Sequence, residues 1–277
     1  MSVLTASIEG IGFWCNGLPD WASARAFVLD GTRPDNAPAR PSPQLLAPNE
    51  RRRAPDTVAV ALEVALAACQ AAGREPNALP SVFASMHGDL GITDYMCATL
   101  ADAPASISPT RFHNSVHNAA AGYWTIGAGC TEATTAISAY DASFAEGLVE
   151  ALVQLHAGAS QVLLVGYDGG SNGPLAAVSR SSGLLGGALV LSREARAEAP
   201  RLAIEIVDDS APASAGPLSS LAAGNAMAPM LPLFEALARG DDTVLLHLGP
   251  GRALRLKFEA AAAVRPVRDT LGEVVHG

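Results

Sequence analysis

Residues 134–152 read "TTAISAYDASFAEGLVEAL", and "SQVLLVGYDGG" follows at 160–170. The first residues, Thr134 to Ala139, are β-like. From Ser143 the spacing changes: Phe144, Leu148, Leu152 and Leu155 form one apolar stripe at helical period. Ser143 and Glu146 make an S-x-x-E capping box, which predicts the helix start at Ser143. The run after it is a buried strand with a glycine exit. Strand, helix and strand joined by short connections predict a βαβ crossover with a parallel strand pair. Tyr140 and Asp141 stand at the strand-to-helix corner. Many enzymes place a nucleophile at such a corner, exposed and facing a helix N-terminus. Tyrosine is a poor nucleophile, and its ring is expected to fill space there.

The same reading extends outward. "VLTASIEGIGFW" (3–14) is strand-like, and a short helix follows from Asp20. Residues 32–50 are proline-rich and predict a loop. An Ala-rich helix, apolar nearly all round and hence buried, is expected from a Thr57 cap to Gly73. A strand at 79–89 ends in a polar tip, and a helix is expected from near Thr93. Residues 106–129 predict a short helix after Pro109 and a second through "NAAAGYWTIG". A glycine-rich loop leads to a strand at 175–194, and another strand lies at 200–210. Residues 211–224 form a small-residue linker. A helix at 225–240 is interrupted early by Pro229 and Pro232, and residues 242–260 predict a hairpin turning at "GPG".

The chain has 277 residues, 49% hydrophobic and 16% charged, enough to bury a large core. Its net charge of −9 argues against nucleic acid and anionic membrane as partners, and against docking of another acidic protein. Four dispersed cysteines, Cys15, Cys69, Cys97 and Cys130, form no C-x-x-C pair, so no structural zinc or other metal is expected. No signal peptide and no membrane-length apolar run is read, so a soluble cytoplasmic protein with free thiols is expected.

Other candidate motifs are weaker. "EGIGFWCNG" (9–17) begins like a dinucleotide fingerprint, but its third glycine is misplaced. His113 and His117 would share a face on one helix, yet no acidic residue lies nearby, so packing or interface roles outweigh a metal. His87 and Asp89 fit a polar strand tip. Cys130 has no helix N-terminus or cation beside it in sequence and fits a small buried or loop cysteine. Asp168 ends a buried strand, where open α/β sheets build sites, but it fits a turn before two glycines equally well.

Five segments, in order, resemble the N-terminal part of β-ketoacyl synthases of the thiolase-like fold. These are "ASIEGIGFWCNGLPDWASARAFVLDG", "ISPTRFHNSVHNAAAGYWTIGAG", "TTAISAYDASFAEGLVEAL", "SQVLLVGYDGG" and "SGLLGGALVLS". The resemblance implies a layered α/β/α/β/α fold with a shortened C-terminal half. Its divisions would be 1–198 (synthase N-terminal-like half), 199–260 (abbreviated C-terminal half) and 261–277 (frayed tail). It also places Tyr140 where active synthases carry their nucleophilic cysteine, and a phenol cannot replace a thiol in transthioesterification. The segments that would bear the two histidines of decarboxylation look deleted, and His247 is no credible substitute.

A synthase-like chain without nucleophile or histidines resembles a chain-length factor, and more narrowly the short factors of aryl-polyene (xanthomonadin-type) systems. That implies no catalytic residue, no cofactor, and a heterodimer with a full-length active ketosynthase. The partner would receive the acyl carrier protein. Residues 107–126 would line the acyl pocket and interface, with Phe112, His113, His117, Asn118 and Tyr123 as the candidates. Tyr140 would plug the relic site. Two alternatives stand beside this: a free-standing acyltransferase using Cys130, and a structural homodimer paired through its central sheet.

Overall fold

The computed structural model describes residues 3–196, 199–213 and 215–259. The tail expected at 261–277 lies outside the described residues. Among them, eight strands form one mixed sheet in the order β3-β2-β4-β5-β1-β6-β8-β7, with helices on both faces. The strands are β1 (Leu4–Cys15), β2 (Ser81–Ala84), β3 (Thr134–Ile137), β4 (Gln161–Asp168), β5 (Leu185–Ser192), β6 (Arg201–Val207), β7 (Thr243–Gly249) and β8 (Arg252–Glu259). The protein is α/β, as expected. Its short C-terminal part adds β6, β8 and β7 to the same sheet through β1 instead of building a second one.

On one face lie α3 (Asp56–Ala72) and α6 (Ala119–Ala128), packed on Phe83, Val165 and Val190. On the other lie α1 (Trp21–Asp30), α7 (Ser143–Ala157), α8 (Pro217–Leu221) and α9 (Leu231–Arg239). Here Phe13, Trp21 and Phe144 surround Phe234, with ring centroids 5.4, 6.0 and 6.1 Å from it. Helices α2 (Pro48–Arg51), α4 (Leu90–Asp102) and α5 (Pro109–Asn114) complete the described α-helices.

The "GIG" of β1 has a packing explanation. A Cβ on Gly10 would overlap the carbonyl of Ala68, and one on Gly12 that of Val64, so both glycines let α3 lie directly on the strand. The "GG" of β5 works on both faces. Gly186 faces Val60 and Val64 of α3, whereas Gly187 makes room for Phe234. At the irregularity between Ile8 and Gly10, Glu9 is tied by Arg74 at 2.8 and 3.0 Å and by Arg196 at 3.1 Å.

Several local expectations need correction. Helix α3 begins at Asp56 after Pro55, and Thr57 does not cap it: its hydroxyl donates to Asp89 at 2.8 Å. That leaves Asp89 as the cap of α4, accepting from Ile92 N at 2.9 Å, so α4 starts at Leu90 and not near Thr93. Strands β3 and β4 run parallel but do not pair, because β2 lies between them and pairs parallel with each. The Asp20 cap, the two helices at 109–128 and the hairpin at 243–259 are where they were expected.

Candidate functional site

The corner after β3 is a tight, strained elbow. Tyr140 has φ 52°, the single positive φ outside glycine among the described residues. A left-handed backbone costs a non-glycine residue about 1 kcal/mol, so the surroundings must hold it. They do so through Ser143. Its hydroxyl accepts from Ala139 N at 2.9 Å and donates to Tyr140 O at 2.6 Å. The expected capping box with Glu146 is therefore not formed: α7 does start at Ser143, but that hydroxyl is spent on the corner. The tyrosine ring fills no space within the chain, since Tyr140 is 76% exposed.

Behind the elbow lies a buried polar hub. Asp168, at the end of β4, is 1% exposed. Its carboxylate accepts from Ser85 Oγ at 2.7 Å, Met86 N at 2.9 Å and His87 N at 3.4 Å. Burial pushes its pKa up to about 6, against the pull of those donors. The turn it holds ties in three other parts. Ser138 Oγ donates to Met86 O at 3.0 Å, His117 Nε2 meets Ser85 O at 2.8 Å, and His87 Nε2 meets Ser179 Oγ at 2.8 Å. Burial, and the neighbouring His117, lower the pKa of His87. Asn225 reaches the Asp168 carbonyl at 3.1 Å, bringing in the C-terminal part. In sequence Asp168 fits a site and a turn equally well, and nothing local signals that it gathers 85–87.

Beside the elbow is an open cleft of about 480 Å³, lined by Met86, Asp141, Arg180, Ser219, Asn225 and His247 among others. No local pattern points to Arg180 or Ser219 there. None of Phe112, His113, His117, Asn118 or Tyr123 lines it. Those residues gather on α5, α6 and their junction. Phe112 is 61% exposed, the His113 ring stacks edge-on against Tyr123 at 5.9 Å, and Asn118 precedes α6 as an exposed residue. His113 and His117 do not share a helix face: α5 ends at Asn114, and His117 sits in the junction. No group of three or more His, Cys, Asp or Glu side chains able to hold a metal is found among the described residues. No helix there is long and apolar enough to cross a membrane.

Cys130 is buried, and its thiol points to Leu79 O at 3.6 Å. Cys15 and Cys69 have pKa values pushed up to about 12 by burial, so neither is poised as a thiolate. Cys97 is exposed on α4. No described cysteine stands at the elbow.

Strand β3 closes one end of the sheet, and its outer edge is unpaired among the described residues. Exposed apolar side chains stand near it: Ile126 on α6, which touches β3, and Tyr140 at its end.

The comparisons agree with this architecture. A solved complex of the ketosynthase ApeO with its chain length factor ApeC, from Xenorhabdus doucetiae, contains a chain 24% identical to this one. The match covers 92% of this chain and 99% of that one, with a TM-score of 0.72. The ishigamide ketosynthase/chain length factor gives 15% identity, 92% and 99% coverage and a TM-score of 0.67. A β-ketoacyl synthase from Burkholderia phymatum gives 12%, 86% and 71%, with a TM-score of 0.56. No curated protein sequence matches the chain. These likenesses establish the thiolase-like fold. The model of the β-ketoacyl synthase N-terminal domain matches residues 21–249, and the chain therefore belongs to the β-ketoacyl synthase family.

Proposed function

We propose that this chain is a non-catalytic, chain-length-factor-like subunit that pairs with an active β-ketoacyl-carrier-protein synthase and shapes its acyl pocket. The pathway class would be polyketide, aryl polyene or fatty-acid-type chain elongation. One observation carries the reading: the elbow keeps its strand, strained corner and helix, but presents an exposed phenol in place of a thiol. A phenol at that point cannot form and pass on a thioester. The open β3 edge, with Ile126 and Tyr140 beside it, supplies the pairing surface. Phe112, His113, His117, Asn118 and Tyr123 line the shared pocket from α5 and α6. Tyr140 caps the relic site from this side, its ring covered by the partner. The solved relatives' complexes of ketosynthase with chain length factor support such a pairing. The acyl carrier protein docks on the partner, because a chain of net charge −9 repels an acidic carrier.

The test is co-expression with a ketosynthase encoded beside it. A stable one-to-one complex is expected. A ketosynthase that purifies fully active and soluble without this chain, and ignores it when mixed, would overturn the proposal. A free-standing enzyme using Cys130 is disfavoured by the burial of that thiol. Rapid labelling of Cys130 by a thiol-reactive probe at neutral pH would revive it.

A further inference from the structure

The cleft beside the elbow gathers polar groups from four distant parts of the chain. Asp141, Arg180, Ser219 and His247 all line its volume of about 480 Å³. Each stands on a pinned piece of backbone. Arg180 lies between Ser179, which meets His87 Nε2 at 2.8 Å, and Ser181, whose hydroxyl donates to Gly169 O at 2.6 Å. Asp141 follows the corner that Ser143 clasps at Ala139 N and Tyr140 O. Ser219 N donates to Glu235 at 2.8 Å, and His247 is registered opposite Ala253 in the terminal hairpin. Groups held this way lose little freedom when a ligand arrives.

The binding capacity of these groups is unused within the chain. Arg180 and Asp141 are exposed, and neither has an ion-pair partner among the described residues. They therefore do not pair with each other. Ser219 is 3% exposed, and its buried hydroxyl has no hydrogen-bond partner. An orphaned hydroxyl of this kind is uncommon in a native protein and destabilising unless something supplies the bond. Asn225, on the same wall, is by contrast fully engaged. Its amide donates to Asp168 O at 3.1 Å and Ser182 O at 3.2 Å, and its Oδ1 accepts from Met227 N at 2.9 Å. Met86, Pro229, Pro232 and Leu245 give the cleft apolar walls between the charges.

This set of groups specifies the chemistry of an occupant. A guanidinium is suited to a carboxylate, which it can grip with two parallel hydrogen bonds. A simple anion would meet repulsion from Asp141, and a simple cation would meet it from Arg180. A small molecule carrying one charge of each sign satisfies both, and the Ser219 hydroxyl and His247 ring add hydrogen bonds. We propose that the cleft binds a zwitterion of amino-acid size, with its carboxylate on Arg180 and its ammonium on Asp141. The site is internal to this chain and independent of the proposed pairing with a ketosynthase.

The test is a ligand-observed NMR titration of the full chain alone, so its failure leaves the proposed pairing standing, and the reverse. The probes are β-alanine and γ-aminobutyrate as zwitterions, propionate as the anion and propylamine as the cation. At least one zwitterion is expected to bind with a dissociation constant on the order of a millimolar, roughly tenfold or more below that of either singly charged probe. Arg180→Gln and Asp141→Asn, both at exposed positions, should each weaken zwitterion binding about tenfold or more. Ser219→Ala separates binding from folding. Removal of an orphaned hydroxyl should leave the melting temperature unchanged or raised, while zwitterion affinity falls about threefold or more. Zwitterions that do not bind, singly charged probes that bind as well, or variants that bind like the native chain would overturn the proposal.

Discussion

Strands β5 and β3 belong to one sheet, three places apart, and have opposite surroundings. Every residue of β5 is buried, between α3 on one face and Phe234 on the other. No residue of β3 is fully buried, and it closes the sheet with an open edge. The residues that hold the molecule together are at the centre: the glycines of β1 and β5, the aromatic cluster, and Glu9 with its two arginines. The elbow sits at the rim. Its strain is held by hydrogen bonds from Ser143, and its side chain contributes almost no packing. A corner placed this way can change its side chain without harm to the core.

Four substitutions would break or sharpen that contrast. The largest effect is expected at the centre. Gly12→Val drives a branched side chain into the backbone of α3 and should cost about 3 kcal/mol or more, read as a steep fall in the denaturant midpoint or loss of soluble protein. Next is Glu9→Ala, which leaves Arg74 and Arg196 unpaired beside an irregular strand. A loss of about 2 kcal/mol is expected by chemical denaturation. Burial alone would raise the Glu9 pKa, but Arg74 and Arg196 outweigh it and the net direction is down. Its contribution is thus present above the unfolded pKa and fades as pH falls through the folded one. The variant should lack that part of the acid sensitivity.

Asp168→Asn tests the hub between the two regions. The folded pKa is raised to about 6 from 3.8. The stability linked to this group is fully present below the unfolded value and is lost as pH rises through about 6, by up to roughly 3 kcal/mol. Asparagine cannot titrate, but its amide loses one backbone donor. Its deficit relative to the native chain should therefore be largest near pH 4 and shrink toward pH 7. A deficit that grows with pH would contradict the assignment. The smallest effect is expected at the rim. Tyr140→Gly relieves the left-handed strain and removes an exposed ring, so stability should rise by about 1 kcal/mol. A clear loss would mean that the ring is packed within this chain after all.

What the sequence made legible follows the same division. The elbow, the Asp20 cap and the terminal hairpin rest on residues close in the chain, and local spacing reveals them. The insertion of β2 between β3 and β4 depends on residues some fifty and eighty positions apart, and no periodicity encodes it. Ser143 and Thr57 show the limit within a single turn. Each is a good cap by type, and each spends its hydroxyl elsewhere, on Tyr140 and on Asp89. The glycines of "EGIG" read as a weak ligand motif until α3 is seen lying on them. The cleft between the elbow and His247 joins positions about a hundred residues apart, beyond any local signal.

The most direct measurement of the central claim is transfer of a radiolabelled acyl group from an acyl-carrier thioester. The purified chain is assayed alone, and then in complex with its co-expressed ketosynthase. Denaturing electrophoresis and peptide mapping locate the label. The account predicts no stable label on this chain in either sample, Tyr140 and Cys130 included, and label on the partner's cysteine in the complex. Stable acylation of any residue of this chain would contradict it.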